Sequence, residues 1–165
     1  MPLFRRPRTE SSAPVTEPPR GAISVRSAEP SDAAALVGLC RLRGREITED
    51  AMVARLEQRR ARTDQAVWVA VDEQGTVCGF ASGVVVATLE SGPIAHLTAL
   101  ATETHARGRG VGRGLVDAFT AWATQAGAWE AVVLSGGGEG THKSHRGYDH
   151  LGFEPRGRVY AKTLR

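Results

Sequence analysis

The stretch THARGRGVGRGL, residues 104–115, sets four glycines and three arginines where a strongly periodic helix begins. Glycine costs a helix interior about 0.5–1 kcal/mol relative to alanine. Gly108, Gly110, Gly112 and Gly114 therefore weaken the helix unless something else requires them. A strand, a glycine-rich turn and a helix start together make an anion site. The first N–H groups of a helix have no partners within it, and the helix dipole favours negative charge there. Glycines let a ligand approach that backbone, and Arg107, Arg109 and Arg113 add positive charge.

Spacing separates the kinds of phosphate loop. A Walker loop needs Gly, four residues, then Gly-Lys-Ser/Thr, and no lysine lies here. A dinucleotide fingerprint needs G-x-G-x-x-G. Gly108 and Gly110 supply the first pair, but Arg113 holds the third place; starting from Gly110 and Gly112, Leu115 holds it. The stretch also follows three antiparallel-looking strands, whereas a dinucleotide site favours an early βαβ unit.

Those strands read as AVWVAV, TVCGFASGVVVATL and IAHLTALAT, with DEQG and ESGP turning between them. Upstream, AISVRSA predicts a first strand and EPSD a helix start, capped by Ser31 or Asp32. A second helix follows in TEDAMVARLEQRRAR, capped by Thr48, with Met52, Val53 and Leu56 on its apolar side. After the glycines, Val111, Leu115, Phe119, Trp122 and Ala126 mark one helix face. AWEAVVLS predicts a buried strand, THKSHRGYDHL a helix capped by Thr141, and RVYAKTL a last strand. The order β-α-α-β-β-β-α-β-α-β predicts an α/β protein of the α+β type. Its central sheet is mixed but mostly antiparallel and flanked by helices.

The 165 residues suit one domain, expected over 21–165, after a proline-rich disordered tail over 1–20. No apolar run is long enough for a membrane span, and the basic N-terminus lacks a secretory h-region, so a cytoplasmic protein is expected. Cys40 and Cys78 lie far apart in apolar settings and read as buried thiols rather than as a disulfide or metal pair. His142, His145 and His150 lack the partners of a zinc site, so no metal is expected. The net charge is +3, with only two lysines among 21 basic residues. Such arginine bias can reflect genome composition, and no nucleic-acid partner is inferred from it.

RGRGVG, Arg107 to Gly112, resembles the R/Q-x-x-G-x-G/A motif of the GNAT (Gcn5-related N-acetyltransferase) superfamily. The surrounding LTALATETHARGRGVGRGLVDAFTAWATQAG is similar to that family's strand, pyrophosphate loop and helix. In SHRGYDHLGFEPRGR, Tyr148 stands four residues before Gly152, with Phe153 after it, as in the family's usual ending. ISVRSAEPSDAAALVGL resembles its first strand and helix, so the likeness covers roughly residues 22–163. Two departures stand out: Thr141 where many members carry Asn, and Gly147 where an aromatic is common.

The resemblance implies an acetyltransferase moving an acetyl group from acetyl-CoA to an amine by direct attack in a ternary complex. It implies pyrophosphate binding by Arg107, Gly108, Arg109, Gly110, Val111 and Gly112. It places the pantetheine arm along Leu100, Ala101 and Thr102, where a backbone N–H can polarise the thioester carbonyl. Tyr148 matches the general acid for the leaving thiolate; a phenol with its ordinary pKa near 10 is protonated at neutral pH. His96 and Glu103 are the candidate bases, with ordered water as the alternative. The acceptor wall includes Arg41, Arg43, Arg45, Glu46 and Glu49, which could attract a carboxylate or form a solvated charged face. The expected partner is a small-molecule or peptide amine, without nucleic acid or membrane, and a homodimer is open. The rival reading is a non-catalytic acyl-CoA-binding sensor or interaction domain of the same fold.

Overall fold

The structure is a computed structural model and describes residues 22–133, 147–156, 162 and 164. Five strands lie side by side in chain order, β1 (Ser24–Ser27), β2 (Gln65–Val71), β3 (Val77–Thr88), β4 (Gly92–Thr102) and β5 (Glu130–Val133). The first four are antiparallel neighbours; β5 runs parallel to β4 after the crossover through helix α3 (Val111–Gln125). Helices α1 (Ala33–Leu42) and α2 (Glu49–Arg60) lie between β1 and β2 in the chain. This is the expected mixed, mostly antiparallel sheet with helices on it. The proposed tail, the GGGEG loop and Thr141 lie outside the described residues, and so does the last strand apart from Lys162 and Leu164, which are not in strand conformation. Gly147–His150 are helical, the described end of the last predicted helix. Among the described residues no helix is long and apolar enough to cross a membrane.

Helices cover both faces of the sheet, which explains the unbroken apolar run of β2. Trp68 and Ala70 face one core with Leu97, Leu115 and Phe119; Val69 and Val71 face the other with Leu36, Leu39, Leu56 and Phe80. The first core centres on three aromatics: Trp68 lies edge-on to Phe119 at 6.2 Å and to Trp122 at 5.5 Å. Helix α3 comes very close to β3. A Cβ on Gly79 would stand 2.7 Å from Val111 Cγ1, and one on Gly83 2.7 Å from the Phe119 ring. The buried stripe of α3 runs Val111, Leu115, Phe119, Ala123. Ala126, expected on that face, is exposed, because steps of four track the contact line and Ala126 lies beyond the helix end.

Thr48 caps α2 as expected, accepting from the Ala51 N–H at 3.3 Å. The start of α1 differs. A 3-10 turn, Pro30–Asp32, comes first, and Glu29 opens it. Asp32 precedes α1 but its side chain does not cap that helix. Its buried carboxylate accepts two bonds from Arg26, at 2.7 and 2.8 Å, and one from the Glu29 N–H at 2.8 Å. The Arg26 guanidinium holds the Asp32 carboxyl below its usual range, against the opposing effect of burial. That pair ties β1 to the start of α1.

A folded pKa below the ordinary 3.8 means that this stabilisation is complete above that value and is lost as pH falls through the native one. Asp32→Asn should lower stability at pH 7 by about 1–2 kcal/mol, the Arg26 side of the pair being partly solvated. Urea unfolding across a pH series should show the gap between the two proteins narrowing below pH 3.8.

Candidate functional site

The glycine-rich segment is held at its start and open at its end. The Glu103 N–H donates to the Cys78 carbonyl at 2.9 Å, keeping the chain on β3 for one residue past β4. A 3-10 turn, Thr104–Ala106, follows, with Ala106 buried. Gly110 then stands at the N-cap of α3 with φ +81°, a left-handed conformation that an L side chain resists. The first bond of the helix runs from the Gly114 N–H to the Gly110 carbonyl at 2.9 Å. The N–H groups of Val111, Gly112 and Arg113 therefore have no partner inside the helix, and no cap side chain supplies one. Gly112 is different from Gly110: its backbone is helical, and a Cβ there would meet nothing within 4 Å. One glycine serves the turn; the other leaves space in front of the donors.

Two adjoining cavities run from this loop along the end of β4. One, of about 370 Å3, is bordered by Gly108, Gly110, Val111, Gly112 and Arg113. The other, of about 340 Å3, is bordered by Leu42, Arg43, Leu100, Ala101 and Tyr148. Thr102, Arg107, Gly147 and Leu151 border both, so the two form one groove. Among the described residues β5 pairs with β4 from Ile94 to Leu97. Just past that stretch β4 carries a bulge: Leu97 and Ala99 pair with Gly83 and Ser82, leaving Thr98 as the extra residue. The Ser82 and Thr98 hydroxyls bond at 2.7 Å, and Thr98 Oγ1 donates to the Ser82 carbonyl at 3.0 Å. Beyond it, residues 99–102 pair only with β3 among the described residues. Their other edge offers backbone groups to the groove.

Tyr148 is placed by a helix ending. The Gly152 N–H donates to the Asp149 carbonyl and the Phe153 N–H to the Tyr148 carbonyl, both at 3.1 Å, around Gly152 at φ +87°. These are the paired bonds of a left-handed glycine cap, and they bring the residue after the glycine onto the residue that accepts its bond. Phe153 accordingly packs edge-on against Tyr148 at 6.0 Å. The Tyr-Gly-Phe spacing is the geometry of this turn. Arg113 reaches from α3 to the His150 carbonyl at 2.8 Å and ties the turn to the loop. Burial pushes the Tyr148 phenol up, with the Arg43 guanidinium opposing it. Gly147, where a Cβ would meet nothing within 4 Å, keeps the groove wide beside the ring.

The groove gathers Leu100, Ala101, Thr102, Arg107, Gly108, Gly110, Val111, Gly112 and Tyr148 from the sequence expectation. Arg109 lies outside its lining. His96 is half-buried on β4 between Val84 and Val132, in the paired part of the strand, and lines neither cavity. Glu103, at the N-cap of the 3-10 turn, lines neither. Leu42 and Leu151 were not singled out in the sequence as groove residues. Only Leu42 carried a local signal, a leucine two residues before a helix-ending glycine. His142 and His145 lie outside the described residues.

A family model described as the acetyltransferase (GNAT) family matches residues 35–153. The chain belongs to the GNAT family. Solved structures share its fold. An aminoglycoside N-acetyltransferase in complex with CoA superposes with TM-score 0.76 at 24% identity, over 90% of this chain and 99% of that one. Glucosamine-6-phosphate N-acetyltransferase from Arabidopsis thaliana gives 0.75 at 16% identity, over 87% and 99%. An aminoglycoside acetyltransferase from an uncultured soil metagenomic sample, in complex with sisomicin, gives 0.68 at 19%, over 87% and 97%. None of the curated proteins compared with the chain matches it.

The GNAT loop separates two roles for glycine, and the separation is measurable. Gly110→Ala should cost about 1–2 kcal/mol, because alanine must adopt the left-handed conformation. Gly112→Ala should instead raise stability by up to about 1 kcal/mol. Denaturant unfolding of both variants checks the contrast.

Proposed function

We propose that this protein is an N-acetyltransferase that takes its acyl group from acetyl-CoA and transfers it to an amine of a small molecule or peptide. One observation carries the reading. The unpartnered N–H groups of the loop, the open edge of β4 and the Tyr148 phenol border a single groove. A pyrophosphate, an amide-bearing arm and a thioester occur in that order along CoA. The donors fit the first of these: N–H groups without helical partners, space in front of Gly112, and the Arg107 cation. We assign the activity to one domain over residues 21–165.

Acetyl-CoA supplies an activated acyl carbon and a thiolate leaving group. Loop residues Arg107, Gly108, Gly110, Val111 and Gly112 hold the pyrophosphate. The edge of β4 at Leu100–Thr102 pairs with the pantetheine amides, and a backbone N–H there stabilises the negative charge that develops on the carbonyl oxygen. The neutral amine nitrogen bonds to the acyl carbon, the carbon–sulfur bond breaks, and the sulfur takes a proton from the Tyr148 hydroxyl. The nitrogen loses its extra proton to water in the groove, since His96 and Glu103 do not border it. Tyr148 regains a proton from solvent. Its raised pKa keeps it in the acid form through neutral pH.

Calorimetric titration of acetyl-CoA, followed by thiol release across a panel of amines, tests the reading. Gly112→Asp places a carboxylate before the loop donors without backbone strain, so it should abolish acetyl-CoA binding while the protein stays folded. Tyr148→Phe should bind acetyl-CoA normally and lose about 100-fold or more in kcat. With the phenol raised above its ordinary 10.0, the wild-type rate should show no alkaline decline from this group below that pH. Wild-type turnover by Tyr148→Phe removes the acid role. Binding without turnover on any amine favours the acyl-CoA sensor.

A further inference from the structure

We propose that the pocket bordered by Arg43 and Tyr148 receives a carboxylate carried by one of the two substrates, the acceptor amine or the acyl chain; the inference rests on the acyl-transfer reading above. The position of Arg43 is set by the end of α1. The Gly44 N–H donates to the Arg41 carbonyl at 2.9 Å, and the Arg45 N–H to the Cys40 carbonyl at 3.1 Å, around Gly44 at φ +67°. This left-handed cap turns the chain sharply, with Arg43 at the C-cap and Leu42 beside it on the cavity wall.

The wall's charge is one-sided. Two arginines, Arg43 and Arg107, border the cavity, and no acidic residue does among the described residues. Arg107 also borders the loop cavity and serves the phosphate end. Arg43 borders only the Tyr148 end. Its neighbour Arg41 is matched with Glu46 at 3.7 Å. The Arg43 side chain makes no ion pair or hydrogen bond among the described residues. It is also near enough to Tyr148 for its charge to act on the phenol. Arg43 is exposed, and the apolar residues Leu42, Leu100 and Leu151 border the same cavity. A carboxylate would take two parallel hydrogen bonds from the guanidinium. A polycationic amine would meet like charge. The volume, about 340 Å3, suits a small ligand. The carboxylate can reach this point on the acceptor or on the acyl chain.

The test measures ratios. In the first arm, alanylalanine and its C-terminal amide are titrated into the full chain with excess CoA, for wild type, Arg43→Gln and Arg43→Lys. The dipeptide should bind at least about tenfold more tightly than its amide, the low end for a charge-assisted bond. Arg43→Gln should reduce that ratio towards one, and Arg43→Lys should keep part of it. In the second arm, succinyl-CoA and acetyl-CoA are titrated into the same proteins. An Arg43-dependent preference in the first arm puts the carboxylate on the acceptor; one in the second arm alone puts it on the acyl chain. Ratios near one in both arms, no binding of either dipeptide probe together with equal acyl-CoA affinities, or a wild-type preference that survives Arg43→Gln each overturn the proposal. Failure of acetyl transfer itself would be seen separately, as missing thiol release in the amine panel. It would leave the affinity ratios readable.

Discussion

The close contact of α3 with β3 is the constraint on which the rest depends. Gly79 and Gly83 have no side chains where Val111 and Phe119 press in. A Cβ on Gly79 would also stand 2.9 Å from the Ala101 carbonyl. Val111 is the first residue of α3, and Ala101 lies at the end of β4. The missing side chain therefore brings the donor end of the helix beside the strand end that borders the groove. The Trp68–Phe119–Trp122 cluster holds the middle of α3 to the sheet, and the loop is a consequence of where the helix must start.

The site is built from the ends of elements. β4 supplies its last residues, α3 its first turn, α1 its C-cap, and the turn at Gly147–Phe153 the phenol. Left-handed glycines close or open three of these ends, at Gly44, Gly110 and Gly152. Ends are where backbone groups lack partners, so donors for an anion arise there without buried polar side chains in a core. They are also where sharp turns redirect the chain, and each turn aims one side chain: Arg43, then Tyr148. The Thr98 bulge, fixed by its bonds to Ser82, lies between the β4 residues that pair with β5 and those that border the groove.

Stability and function overlap at the groove. Ala101 and Val111 border it and also belong to the two cores, while the Arg26–Asp32 pair ties edge strand β1 to the turn before α1. The loop contributes little: Gly108, Gly110 and Gly112 each have open space around them, and their freedom weakens the helix start. That cost is local, while the buried face of α3 from Val111 to Ala123 holds the helix in place.

The sequence by itself determined the element order from β1 through β5 and the glycine-rich start of α3. Those follow from periodicity and from glycine, which act over a few residues. It also carried the Tyr148–Gly152–Phe153 spacing, because a left-handed helix ending is a local motif. It misplaced what depends on side-chain partners and on packing. Asp32 does not cap α1 because Arg26 of β1, six residues earlier, and the Glu29 N–H hold its carboxylate. Ala126 is not on the buried face because the line of contact with β3 sets that face. His96 and Glu103 line neither cavity: His96 lies where β4 pairs with β5, and Glu103 stands at the N-cap of the 3-10 turn. Composition can report that a chain is rich in arginine. Only the tertiary structure singles out Arg43, because pairing of the neighbouring charge and closeness to Tyr148 are facts of space.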